Sequence, residues 1–142
     1  MERWLRVDVG TSDGEWNVRF GVNDAKDVVG LRLALRYDPA LLQVKEESAE
    51  WLVPGGLLVT NALEPGRVII SGALTTPLSQ GPNPLVALQF IRQANDGSST
   101  SLWITLDEML TQLNDGAIPI AEDSLKKFDL QHPTGIKDWM LH

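Results

Sequence analysis

The chain has 142 residues, with 12 Lys+Arg against 19 Asp+Glu, so its formal net charge is 12 − 19 = −7. That length suits one domain, an acidic balance argues against a broad nucleic-acid or anionic-membrane surface, and the absence of Cys excludes disulfides, thiolate metal sites and cysteine nucleophiles. No run of about 18 apolar residues is present to span a bilayer, and the N-terminal residues do not read as a signal peptide.

Period-2 patterning then runs along the chain. Leu5, Val7 and Val9 alternate with polar neighbours and predict a strand over 3–9. After Ser12-Asp13-Gly14, apolar residues fill every even position from Trp16 to Val22, predicting a strand over 15–22. Leu31, Leu33, Leu35 and Tyr37 alternate with Arg32, Ala34 and Arg36 and predict one over 28–37. Further strands are expected at 41–46, 57–62, 67–73, 85–93, 100–106, 117–121 and 124–130. Turn tripeptides such as Glu64-Pro65-Gly66, Asn95-Asp96-Gly97 and Asn114-Asp115-Gly116 fall between them and tolerate positive φ. The proline-rich stretch 76–84 reads as a loop, because proline cannot donate to a strand ladder. Leu106–Leu113 has room for only a turn or two of helix. Short strands punctuated in this way predict an all-β sandwich over 1–130, with 131–142 as a tail or linker.

The segment from Gly30 to Val44, with Tyr37-Asp38-Pro39 at its centre, resembles the G-x-φ-x-φ-x-φ-x-Y-D-P-x-x-L-x-V stretch of bacterial cohesin modules of the cellulosomal and cell-surface kind. Arg67–Ala73, Leu85–Phe90 and the region Leu113–Leu125 are similar to the later family markers, in the same order. The resemblance covers about residues 3–130. It implies a nine-stranded jelly-roll sandwich, like that of some carbohydrate-binding modules. It also implies a non-catalytic module, secreted or on the cell surface as part of a longer exported protein, that docks a dockerin-like helical partner on one sheet face. Two places depart from the pattern. Arg32 stands where an acidic or amide residue is usual, and the 77–84 segment replaces an Asp-Gly loop. A different protein partner therefore stays open beside a dockerin.

Strand parity suggests which residues would form that face. Arg32, Ala34 and Arg36 point outward if their neighbours point in, and Arg67, Ile69 and Ser71 match them. Ala87, Gln89 and Ile91 are expected on the same platform. Small and apolar residues ringed by arginines suit an interface centre with a charged rim, and the arginines would favour an acidic partner. The plain alternative is a solvated sheet face. Trp16 falls on inward parity and belongs to the core, and Trp51 is expected to close one end of the sandwich. Trp4 and Trp103 fall on outward parity, where a bare indole can stack on a sugar ring of a polysaccharide. Tyr37-Asp38-Pro39 reads as turn architecture.

Chemical signals are sparse. His132 and His142 are the only histidines and both lie in the tail, which disfavours a histidine metal site. Asp107 and Glu108 are adjacent and would face opposite ways on a strand, unlike a glycosidase carboxylate pair. No calcium loop, phosphate loop or nucleophile elbow is present. The expectation is no enzyme, no cofactor and no metal. An architectural β-domain without a ligand is the remaining reading.

Overall fold

Every inward-facing aliphatic of the alternating segments needs a second layer to cover it, and the chain supplies that layer itself. A computed structural model describes residues 2–12, 15–62, 64–79, 83–92 and 102–130. In chain order the strands are β1 (Leu5–Ser12), β2 (Glu15–Val22), β3 (Gly30–Tyr37), β4 (Leu42–Trp51) and β5 (Gly56–Asn61). There follow β6 (Arg67–Leu74), β7 (Asn83–Arg92), β8 (Trp103–Leu106), β9 (Gln112–Leu113) and β10 (Phe128–Asp129). Two short 3-10 turns occupy 114–116 and 122–124. One sheet has the order β1-β2-β7-β4; the other runs β10-β8-β3-β6-β5, with β9 also pairing β3. The named pairings are all antiparallel. This is the all-β sandwich the alternation predicts. The tail 131–142, with both histidines, and the Asn95-Asp96-Gly97 turn lie outside the described residues.

The core lies between the two layers. Trp16, Val18, Phe20, Val86, Leu88 and Phe90 face inward from one sheet, and Leu31, Leu33, Leu35, Val68, Ile70 and Ile104 from the other. Two edge-on ring pairs cross the gap, Tyr37 to Phe90 at 5.5 Å and Phe20 to Phe128 at 6.2 Å between centroids. Such pairs add about 0.5–1.5 kcal/mol each beyond the area they bury. Trp51, at the end of β4, closes the gap between the edge strands β4 and β5. Its ring lies on Gly56 and Gly72, where an added Cβ would sit 1.6 Å and 2.8 Å from indole atoms.

Several boundaries differ from the sequence reading. β4 runs on to Trp51, past a register shift between Lys45 and Glu50. β7 begins at Asn83, inside the segment read as loop. Pro84 fits there because the register shifts at Phe20/Gly21 opposite it. The expected strand 117–121 is reduced to isolated bridges at Ile118 and Ile120. Asn114, Asp115 and Gly116 all have positive φ, which coils the chain ahead of it, and Pro119 has no N–H to give. The expected strand 124–130 keeps only Phe128–Asp129. Residues 107–111 form one hydrogen-bonded turn, with the Thr111 N–H donating to the Asp107 carbonyl at 2.9 Å.

Tyr37-Asp38-Pro39 is turn architecture, as its sequence suggests. The Asp38 carboxylate accepts the Ala40 N–H at 2.9 Å, and its carbonyl accepts those of Leu41 and Leu42. The Tyr37 N–H donates to the Gly66 carbonyl at 2.9 Å. Gly66 holds φ +84° with an added Cβ only 2.8 Å from the Tyr37 carbonyl, so this turn needs glycine.

Candidate functional site

Cross-strand register places Arg32 opposite Ser71, Ala34 opposite Ile69 and Arg36 opposite Arg67. These six share the outer side of the six-stranded sheet, as parity predicts. Ala87, Gln89 and Ile91 do not join them. β7 pairs β2 and β4, so those three residues lie on the outside of the other sheet. The expectation of one platform holding all nine residues is therefore corrected. Alternation says which side chains leave the core; it does not say through which layer.

Ala34 is a second correction. It lies on outward parity yet is only 1 % exposed. The 107–111 turn is fastened beside it, the Ala34 N–H donating to Thr111 Oγ1 at 3.2 Å and its carbonyl accepting the Asp107 N–H at 2.9 Å. It is not available to a partner.

The three arginines are not free charges. Arg36 lies 3.3 Å from Asp107, Arg32 3.8 Å from Asp115 and Arg67 4.0 Å from Glu64. Such exposed pairs contribute about 0–1 kcal/mol each. They do offset the local positive charge, which weakens the argument for an acidic partner.

Sequence reasoning placed a strand at 57–62, close to β5, but missed its outward apolar face. Its register to β6 puts Leu57 opposite Ala73 and Val59 opposite Ser71, so both side chains point outward. Leu57 is 79 % and Val59 66 % exposed. The signal was present in Gly56-Leu57-Leu58-Val59-Thr60-Asn61, but an apolar residue on either parity leaves the register undetermined. The other exposed large apolar residues among those described are Trp103 at 44 % and Met109 at 83 %. Trp103 belongs to β8 and Met109 to the turn beside Ala34, so all four belong to the six-stranded sheet or its rim. Leu57, Val59, Ser71, Ala73 and Arg32 line a shallow groove of about 520 Å³.

The opposite face is different in kind. Gln89 donates to Asn17 at 2.6 Å, Arg19 pairs with Asp8, and Lys45 lies 3.6 Å from Glu15. Ser48 Oγ accepts the Gln89 N–H at 2.8 Å. It is a mainly polar surface on which these groups pair with one another.

The sheet edges differ in the same sense. β1 carries Arg6 and Asp8, β4 carries Lys45, Glu47 and Glu50 with a register shift, and β10 has two residues. Charges, irregularity and shortness are how natural sheets discourage edge association. β5 has six residues, no charge, no proline and an unbroken register.

Of the two tryptophans on outward parity, Trp4 is half-buried just ahead of β1, its backbone N–H donating to Asn23 Oδ1 at 2.8 Å. Trp103 is the exposed one. Among the described residues no group of three or more His, Asp or Glu could hold a metal ion.

No protein-family model matches the chain, and no curated protein is significantly similar to it. Solved structures do match. A cohesin module from a Clostridium perfringens family 33 glycoside hydrolase superposes with TM-score 0.65 at 14% identity, over 90% of this chain and 96% of that one. A type II cohesin domain from the cellulosome of Acetivibrio cellulolyticus gives TM-score 0.56 at 16% identity, over 92% and 86%. The sixth cohesin of scaffoldin B from Acetivibrio cellulolyticus, crystallised with a Cel5 dockerin, gives 0.58 at 13%, over 75% and 82%. Two antiparallel sheets in this order, carrying the Tyr-Asp-Pro turn between β3 and β4, thus make the fold of the cohesin modules.

Proposed function

We propose that this chain is a non-catalytic docking module that binds a protein partner, of the dockerin kind, on the outer face of the six-stranded sheet. The observation that carries the reading is the segregation of exposed apolar side chains. Leu57, Val59, Trp103 and Met109 all belong to this one layer or its rim, while the other layer presents a hydrogen-bonded polar surface.

The mechanism is loss of water from a pre-positioned surface. Leu57 and Val59 gain little from folding because they stay exposed. Each would gain about 1.5–3 kcal/mol on full burial against a partner. They stand on a rigid sheet with Ile69 beside them, so little conformational entropy is lost on association. Arg32 and Arg36 on β3 and Arg67 on β6 lie along one side of this centre. Their acidic neighbours would let them re-pair with a partner's polar groups, setting orientation more than affinity. The likeness to a cohesin crystallised with a dockerin supports the partner class. The likeness to a cellulosome module supports a place outside the cell, within a longer protein.

The test is capture of a panel of dockerin modules by the immobilised protein. The reading expects one or more to bind, and Leu57→Asp with Val59→Asp to abolish capture without lowering the melting temperature. Failure of every dockerin to bind removes that partner class. Undiminished capture by the double variant removes the face.

A further inference from the structure

A second groove lies at another part of the same sheet, beside Trp103. It has a volume of about 600 Å³, within the range of small-ligand sites. Leu41, Leu42 and Tyr37 supply apolar wall, and Arg36, Asp38 and Thr105 supply polar groups. Trp103 is the one exposed aromatic residue among those described.

We propose that this groove binds a neutral saccharide, with one pyranose ring stacked on the Trp103 indole. The groove shares Trp103 and Arg36 with the docking layer but uses neither Leu57 nor Val59. Lys127, beside Trp103 on the β10 side, holds its ammonium nitrogen 4.6 Å from the ring centroid. That cation occupies one face of the indole and fixes the ring's orientation. The groove opens on the β3 side, where Arg36 and Asp38 stand. Trp103 lines that groove, so the indole face that Lys127 leaves open is the one assigned to the sugar ring.

The polar groups around the ring narrow the ligand. Arg36 pairs with Asp107 at 3.3 Å, and Lys127 and Asp38 bring one charge of each sign, so the formal local charge is balanced and does not select an ion. Asp38 spends Oδ1 on the Ala40 N–H; its Oδ2, like the Thr105 hydroxyl, has no partner among the described residues. A carboxylate oxygen beside an aromatic face asks for a ligand that is apolar on one side and donates O–H at its edge. A pyranose is built that way. A proline-rich peptide also stacks on aromatic rings, but its proline residues have no N–H to give the carboxylate.

The test is a tryptophan-fluorescence titration of the whole chain with soluble hexasaccharides of glucose, xylose and mannose at millimolar concentrations. A saturable change with at least one of them is expected. It should vanish in Trp103→Ala and weaken by about tenfold in Asp38→Asn, which keeps the Oδ1 acceptor of the turn. It should persist in Leu57→Asp, which separates this site from the docking centre. Near-ultraviolet circular dichroism checks that each variant is folded. No response to any of the three sugars overturns the proposal, as does an undiminished response in folded Trp103→Ala. A response to a proline-rich peptide without one to sugar also overturns it.

Discussion

Arg36 on β3 and Arg67 on β6 lie directly opposite each other across the strand pair. Like charges in that position are destabilising. The structure separates their charge by giving each its own acid, Asp107 at 3.3 Å for Arg36 and Glu64 at 4.0 Å for Arg67. Both acids come from turns flanking the sheet, so the turns hold the electrostatic balance of its outer face.

Asp107→Asn removes one of these charges while keeping the Oδ1 that accepts the Met109 and Leu110 N–H groups. Stability should fall by about 0.5–1 kcal/mol at low ionic strength, after allowance for the exposure of Arg36. The loss should shrink at 1 M salt, where the screening length is about 3 Å. Urea unfolding at the two salt concentrations measures it. A loss independent of salt would mean that Asp107 matters through its turn rather than its charge.

Trp51 packs on bare backbone. Gly56→Ala would place a methyl 1.6 Å from the indole Nε1 and Gly72→Ala one 2.8 Å from Cζ3, so the ring must leave its seat in either variant. Overpacking of this kind costs about 1–3 kcal/mol. Thermal unfolding should show both variants destabilised, Gly56→Ala more so, with a red-shifted Trp51 emission. Unchanged melting in both would show that the ring has room to move.

Asn114 ties the 114–116 turn to the start of β3. Its Oδ1 accepts the Val29 and Gly30 N–H groups at 2.8 and 3.0 Å, and its Nδ2 donates to the Asp27 carbonyl at 2.8 Å. It does so at φ +50°, which asparagine tolerates better than alanine. Asn114→Ala should cost about 2–4 kcal/mol. Asn114→Asp keeps the acceptor and should cost less. Chemical denaturation of the pair would reveal the order; equal stabilities would contradict this assignment of the hydrogen bonds.

Much of the fold was legible because its physical cause is local. Val18, Phe20 and Val22 alternate with polar residues, and the half-buried strand follows from that alone. Glu64-Pro65-Gly66 announces its turn because Gly66 must take positive φ. What was not legible depends on layers and register. Gln89 and Ser71 carry the same outward parity, yet they sit on opposite surfaces, since only long-range pairing assigns β6 to one sheet and β7 to the other. Ala34 has outward parity, yet the 107–111 turn is fastened to its backbone and leaves it 1 % exposed. Leu57 and Val59 escaped notice because Leu58 between them is apolar too, so no alternation marked the outward side. The candidate face was therefore half readable, in its arginines and Ile69, and half hidden, in its apolar centre.

Amide hydrogen exchange of the chain, alone and bound to a dockerin module it captures, tests the docking account most directly. Slowed exchange is expected in β5 and β6, around Leu57–Asn61 and Ile69–Ala73, with the segment Asn17–Gly21 of β2 and the part Ala87–Ile91 of β7 unchanged. Protection confined to β2 and β7 would place the partner on the polar layer and contradict the account.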